Sequence, residues 1–129
     1  MSLLRWYKMD EISGTIFTDS SGNGYDGTAY NGVNFIPGII NNCADFDGTD
    51  DYGTEPATGF TSSNFSIAFW FFATGTPSPS NDHWVYHKDA GTGVAPDLYF
   101  ILRHTGSYIL RIARTAGDII TTTNAYTKN

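Results

Sequence analysis

Residues 65–73 read Phe65-Ser66-Ile67-Ala68-Phe69-Trp70-Phe71-Phe72-Ala73, the most apolar run of the chain. At a two-residue period Phe65, Ile67, Phe69, Phe71 and Ala73 share one face, and Ser66, Ala68, Trp70 and Phe72 the other. Asn64 precedes the run and Thr74-Gly75-Thr76-Pro77 follows it, so its length and aromatic content predict a central β-strand and not a short helix. Each phenylalanine buried there stabilises by roughly 1.5–3 kcal/mol, so a second sheet is expected against the odd-numbered face. Trp70 and Phe72, on the even face, are expected under another layer or lining an open groove.

Outward from this run the chain keeps one character. At 129 residues it fits one domain, residues 1–129, with a core large enough to fold without staples. Aromatic and charged residues are each 16% of the sequence, a folded and not a disordered composition. Glycine, proline and asparagine punctuate short apolar runs, and no stretch of ten residues holds a helical apolar stripe, which predicts an all-β, antiparallel sandwich. The net charge of −6 argues against nucleic-acid partners, which require a basic face. The imbalance is local: nine acids and two bases through Glu55, then four acids and five bases. Cys43 is the single cysteine, so no internal disulfide forms, and a small buried hydrophobe is its expected role. Neither a transmembrane run nor a signal peptide is legible, so no membrane insertion is expected.

Taken in order, residues 3–9 alternate as a strand and Ile16-Phe17 form a buried anchor. The loop from Asp19 to Gly27 holds three glycines in six residues, a composition suited to left-handed backbone positions. Asn31-Gly32 is a hairpin signal between strands 28–30 and 33–36. Residues 39–46 are the next strand, Asp47-Gly48-Thr49-Asp50-Asp51-Tyr52 an acidic turn, and 54–56 a short strand. Beyond the aromatic run, 74–82 is an exposed loop, 84–88 a strand and 89–93 a turn. Residues 98–104 and 108–114 form a hairpin around Gly106, and 119–123 is the last candidate strand.

Four stretches occur together and in order: Leu4-Arg5-Trp6-Tyr7-Lys8-Met9-Asp10-Glu11 with Ser13-Gly14, the loop Asp19 to Thr28, Phe46-Asp47-Gly48-Thr49-Asp50-Asp51-Tyr52, and Phe65 to Trp70. In these the chain resembles the laminin-G-like, concanavalin A-like lectin-glucanase sandwich family, in its pentraxin-related branch. The resemblance implies a concanavalin A-like jelly roll that serves as a binding or adhesion module on cell surfaces, in secreted multidomain enzymes or on virus particles. The family's Trp-x-His strand and Asp-Gly hairpin are missing, so the chain is expected to belong to something longer or to have its sheets completed by a neighbouring chain.

Catalysis finds no candidate. Gly22-x-Gly24-x-x-Gly27 matches a dinucleotide fingerprint, but strand-like sequence follows it where a helix is required. A retaining glycosidase needs two carboxylates about 5–5.5 Å apart, and the two glutamates, Glu11 and Glu55, lie in no such run. No Gly-x-Ser-x-Gly elbow occurs. His83 and His87 would stand roughly 13 Å apart on a strand, too far to share a metal. Asp19, Ser21, Asn23 and Gly24 match the first half of an EF-hand loop, yet Tyr30 occupies the twelfth position and no helices flank it. Two readings of the acidic loops stand. Asp19, Asn23 and Asp26 with Asp47, Asp50 and Asp51 supply the oxygens of a calcium site, or these side chains hydrogen-bond their own turns without a metal.

Binding is the remaining class. Tyr25, Tyr30, Tyr52 and Tyr126 lie at or beside turns, and Trp84 and Tyr86 are expected to share a strand face; Trp6, Phe69 and Trp70 are assigned to the core. The candidate ligand residues are Tyr25, Tyr52, Trp84 and Tyr86. The expected function is a non-catalytic surface module that recognises glycans or docks to neighbouring protein chains, copies of itself included. With Met1 at the start and no leader, a virion component such as a phage fibre or capsid decoration protein is expected. The alternative is a carbohydrate-binding accessory domain of a secreted carbohydrate-active enzyme.

Overall fold

A computed structural model describes residues 2–57, 65–72, 82–88, 98–104, 108–114 and 117–121. Those residues form nine strands and no helix: β1 (Ile16–Phe17), β2 (Gly27–Tyr30), β3 (Asn34–Pro37), β4 (Asn42–Asp45), β5 (Tyr52–Thr54), β6 (Asp82–Lys88), β7 (Leu98–His104), β8 (Tyr108–Arg114) and β9 (Gly117–Thr121). The chain is all-β and every strand pair is antiparallel. It divides into unit 1, Met1–Ile67, and unit 2, Ala68–Asn129. No helix among the described residues is long and apolar enough to cross a membrane.

Unit 1 holds two small sheets, β1-β2-β5 and β3-β4. Phe17, 3% exposed, packs with Ala29 and Val33, and Tyr7, Met9, Phe35 and Ala44 close around them. Phe35 meets Phe17 edge to face at 6.0 Å between ring centroids, a preferred aromatic geometry. Of the expected Ile16-Phe17 anchor, Phe17 is in place, whereas Ile16 is 47% exposed, because neighbouring side chains on a strand point to opposite faces. Gly53, opposite Ala29 on β5, is what lets β5 close on this core: a Cβ there would sit 2.6 Å from Phe17 Cε2.

Several expectations for unit 1 are corrected, the short strand at 54–56 among them: it is β5, Tyr52–Thr54, and takes in the last residue of the predicted acidic turn. Residues 3–9 form no strand; their one ladder contact is a bridge between Tyr7 and Asp19, and Trp6 is exposed, not core. Asn31 and Gly32 both take left-handed backbone angles, φ 65° and 116°, but β2 and β3 do not pair. The two residues turn a corner between the two sheets, because β2 is already flanked by β1 and β5. The predicted strand 39–46 shortens to β4, its first residues becoming the turn of the β3-β4 hairpin. Cys43 is half-buried and free.

Unit 2 is one four-stranded sheet, β6-β7-β8-β9. The hairpin read from sequence at 98–114 has the predicted boundaries and a continuous register from Tyr99 opposite Ala113 to His104 opposite Tyr108. Ile101 and Leu98, at odd and even positions of β7, are both buried, so residues 98–101 of β7 are covered on both faces, as expected of the aromatic run. The run itself is corrected: residues 65–72 belong to no strand, and Phe65, Phe69, Trp70, Phe71 and Phe72 are 39% to 102% exposed. Within unit 2, Phe69 meets Phe100 of β7 edge-on at 5.3 Å, and Phe71 lies 6.0 Å from Phe69 between ring centroids. Trp70 and Phe72 face outward, at 102% and 75%. A central position needs a ladder on both sides, and β7 obtains one from β8 through a short local hairpin; the aromatic run has turn-rich sequence before and after it. The predicted loop 74–81, the turn 89–93, the hairpin tip 105–107, Ala73 and Tyr126 lie outside the described residues.

Candidate functional site

The glycine-rich loop is organised by Asp19. Its carboxylate accepts hydrogen bonds from the Trp6 amide at 3.1 Å, the Ser21 amide and hydroxyl at 2.9 Å each, and the Tyr25 amide at 3.0 Å. The Asp19 amide donates to Asp26 Oδ1 at 2.8 Å. Burial pushes the Asp19 carboxyl up, but the Ser21 hydroxyl and the Ser21, Tyr25 and Trp6 amides outweigh it and hold the group well below the usual carboxylate range. Asn23 turns its amide nitrogen to the carbonyls of Leu3 and Leu4, at 3.1 and 2.9 Å. Gly22 and Gly24, at φ 87° and 75°, give the loop its left-handed turns. Asp19, Asn23 and Asp26, three of the six expected metal ligands, thus bond to the backbone of the loop and of the N-terminal segment beside it, Leu3, Leu4 and Trp6.

Asp47, Asp50 and Asp51 do come together, with one carboxylate oxygen from each within 4.8 Å of the others. Asp51 Oδ2 accepts the Asp47 amide at 3.0 Å and Asp47 Oδ1 the Thr49 amide at 2.7 Å, so the turn also bonds to itself.

Tyr52 follows this cluster on β5 and stands opposite Tyr30 on β2. The two rings stack at 4.9 Å with 13° between planes. Tyr30 is 42% exposed and Tyr52 48%, so the pair presents aromatic surface to solvent. The Asn31 amide donates to the Asp50 carbonyl at 2.8 Å and ties the corner after β2 to the acidic turn before β5. A flat aromatic surface, an amide and three carboxylates therefore lie along one rim of unit 1. Sequence placed Tyr52 among the ligand residues and Tyr30 only beside a turn; the cross-strand register that joins them is a tertiary fact.

The other expected ligand residues fall elsewhere. Tyr25 is half-buried beneath the Arg5 guanidinium, 5.0 Å from its ring centroid, and its carbonyl accepts the Tyr7 hydroxyl. Arg5 also pairs with Glu55 at 3.0 Å, so Tyr25 is held in the loop away from the Tyr30 and Tyr52 stack. Tyr7 is pushed up to about 12 by burial and then by the charge of Glu55. Trp84 and Tyr86 do not share a face. A one-residue register shift between them on β6 makes Trp84 the partner of Ile101 and Tyr86 that of Phe100, and an inserted residue reverses the alternation. Trp84 lies against Tyr99 and His87, at 5.4 and 5.5 Å, and Tyr86 against Phe100 at 6.1 Å.

The sequence matches no protein-family model and no curated protein. Among solved structures it is similar to the 2.1 Å crystal structure of residues 221–444 of an S-layer domain-containing protein from Clostridium thermocellum ATCC 27405. The two are 25% identical with a TM-score of 0.72, over 96% of this chain and 58% of that one. The chain thus spans little more than half of that fragment.

Proposed function

We propose that this chain is a non-catalytic surface module that binds neutral glycans along the Tyr30 and Tyr52 rim of unit 1. The stacked, half-exposed tyrosine pair bordered by Asn31, Asp47, Asp50 and Asp51 carries this reading. The apolar face of a pyranose packs on aromatic rings, and flanking amide and carboxylate oxygens take up the hydroxyl hydrogens. Unit 1 has nine acids against two bases, which disfavours sulfated or uronic-acid glycans and leaves neutral sugars as the ligand class.

A non-catalytic role is supported by the use made of the two glutamates, Glu11 accepting the Thr18 amide at 2.7 Å and Glu55 pairing with Arg5 at 3.0 Å. The likeness to an S-layer domain-containing protein supports a cell-surface or extracellular setting, and it favours that setting over a virion. The antiparallel all-β strands of this chain are consistent with the sandwich part of the laminin-G-like reading. A glycan array probed with the purified chain and with Tyr52→Ala tests the proposal. Neutral oligosaccharides should bind the parent and lose signal with the variant; an array without hits, or hits confined to anionic glycans, overturns it. Repeating the array in chelator reports whether calcium at Asp47, Asp50 and Asp51 takes part.

A further inference from the structure

The dipeptide Asn-Gly occurs twice, as Asn23-Gly24 in the glycine-rich loop and as Asn31-Gly32 in the corner after β2. An asparagine before glycine is the one most open to attack by its own backbone, because glycine puts no Cβ in the path of the incoming nitrogen. Both asparagines are exposed, so burial does not separate them. Hydrogen bonding does. Asn23 Nδ2 donates to the Leu3 carbonyl, the Leu4 carbonyl and the Ser21 hydroxyl, at 3.1, 2.9 and 3.1 Å, and the Asn23 backbone amide donates to the same hydroxyl at 3.3 Å. Asn31 Nδ2 makes one bond among the described residues, to the Asp50 carbonyl at 2.8 Å. Its corner also lies outside the ladders, since β2 ends at Tyr30 and β3 begins at Asn34.

We propose that Asn31 is a site of spontaneous deamidation, that Asn23 is protected, and that the carboxylate formed from Asn31 releases the corner from the acidic turn. The Gly32 nitrogen attacks Asn31 Cγ: the N–Cγ bond forms as the nitrogen gives up its proton, and the Cγ–Nδ2 bond breaks to release ammonia. Water then opens the succinimide ring at either carbonyl and leaves aspartate or isoaspartate, so water is the co-reactant and nothing is oxidised or reduced. At the left-handed angle of Asn31, φ 65°, the Gly32 nitrogen points away from Cγ, and ring closure waits for the corner to open. One side-chain bond resists that opening where three hold the Asn23 amide, and two further bonds to break slow Asn23 by about tenfold or more. The product suits the corner poorly. A carboxylate cannot donate to the Asp50 carbonyl, and it joins the carboxylates of Asp47, Asp50 and Asp51. Asp51 Oδ1 lies 3.6 Å from where a Cβ on Gly32 would sit, while the two bases of unit 1 are engaged elsewhere, Arg5 with Glu55 and Lys8 over the Trp6 ring. Like charges this close repel, and the turn they share leads directly into Tyr52 of β5. The modification therefore loosens the end of unit 1 that carries the tyrosine stack, whether or not a glycan binds there.

The test is peptide mapping by mass spectrometry of the whole chain after incubation in mildly alkaline buffer. Chymotryptic cleavage after Tyr25 and Tyr30 puts the two Asn-Gly pairs in separate peptides. The Asn31 peptide should gain the mass of an amide-to-acid conversion, in aspartate and isoaspartate forms, at least about tenfold faster than the Asn23 peptide. In guanidinium chloride the two should react at similar rates, since the dipeptide is the same and the hydrogen bonds are gone. Equal rates in the folded chain, faster reaction at Asn23, or no reaction at Asn31 in the fold while it proceeds in denaturant overturns the proposal. The consequence is read from thermal unfolding of Asn31→Asp and Asn31→Ser at low and high salt. Both lose the bond to Asp50 and only the first adds charge, so raising the salt should stabilise Asn31→Asp relative to Asn31→Ser. An identical salt response in the two variants would overturn the like-charge contact with the acidic turn. None of these measurements uses a glycan, which separates their outcome from that of the tyrosine rim.

Discussion

Gly53→Ala probes the core of unit 1 most directly. The added Cβ would lie 2.6 Å from Phe17 Cε2, with two further ring atoms at 3.4 and 3.5 Å, where carbon atoms prefer about 3.5–4.0 Å. The ring has little room to retreat. Phe17 is 3% exposed and its neighbour Phe35 stands edge-on at 6.0 Å. Relief requires an off-rotamer ring or a shifted β5, at about 1–3 kcal/mol. Alanine recovers part of this, since glycine within a strand costs about 0.5–1 kcal/mol. The net expectation is a loss of about 1–2 kcal/mol in equilibrium urea unfolding. In a Phe17→Leu background the clashing ring is gone, and Gly53→Ala should become neutral or stabilising. The double-mutant cycle should thus show a coupling of about 1–3 kcal/mol. Additivity within about 0.5 kcal/mol would refute the placement of Gly53 over Phe17.

Three further predictions follow from single groups. Asp19 has a lowered pKa in the fold, so its contribution is fully present above the ordinary carboxylate range and is lost as pH falls from about 4 towards its folded value; Asp19→Asn should flatten that acid limb of unit 1 stability and lower the stability at neutral pH. Tyr7 is raised to about 12, so its stabilising effect holds below pH ~10 and is lost as pH rises towards 12; an ultraviolet titration should show a late ionisation towards pH 12, and Tyr7→Phe should remove that step. Trp70 is fully exposed, so its fluorescence in a Trp6→Phe, Trp84→Phe background should be red-shifted and quenched by iodide as freely as a model indole; a shielded signal would restore the run to the interior.

What the sequence disclosed was the part governed by local rules. Phe17 stands out as an apolar anchor between polar turns, and the strands 98–104 and 108–114 are read to the residue because only Thr105-Gly106-Ser107 separates them in sequence. Where partners are distant, periodicity is silent. Residues 65–73 have the composition of an interior strand, but composition says what burial would gain and not which ladder is available, and β7 takes that place. Asn31-Gly32 carries the right backbone angles for a hairpin and serves a corner between sheets, since a turn's geometry does not choose the next strand's partner. The Trp84 and Tyr86 assignment failed on one inserted residue, which two-residue alternation cannot anticipate. At the site, Tyr52 and the aspartates were legible as a turn, whereas the stack with Tyr30 depended on the β2-β5 register.

The decisive measurement is titration calorimetry of a neutral oligosaccharide selected from the glycan array against the parent, Tyr30→Ala and Tyr52→Ala. Each variant should bind at least about tenfold more weakly, roughly 1.4 kcal/mol, with the fold intact. Unchanged affinity in both variants would contradict the tyrosine rim as the binding surface.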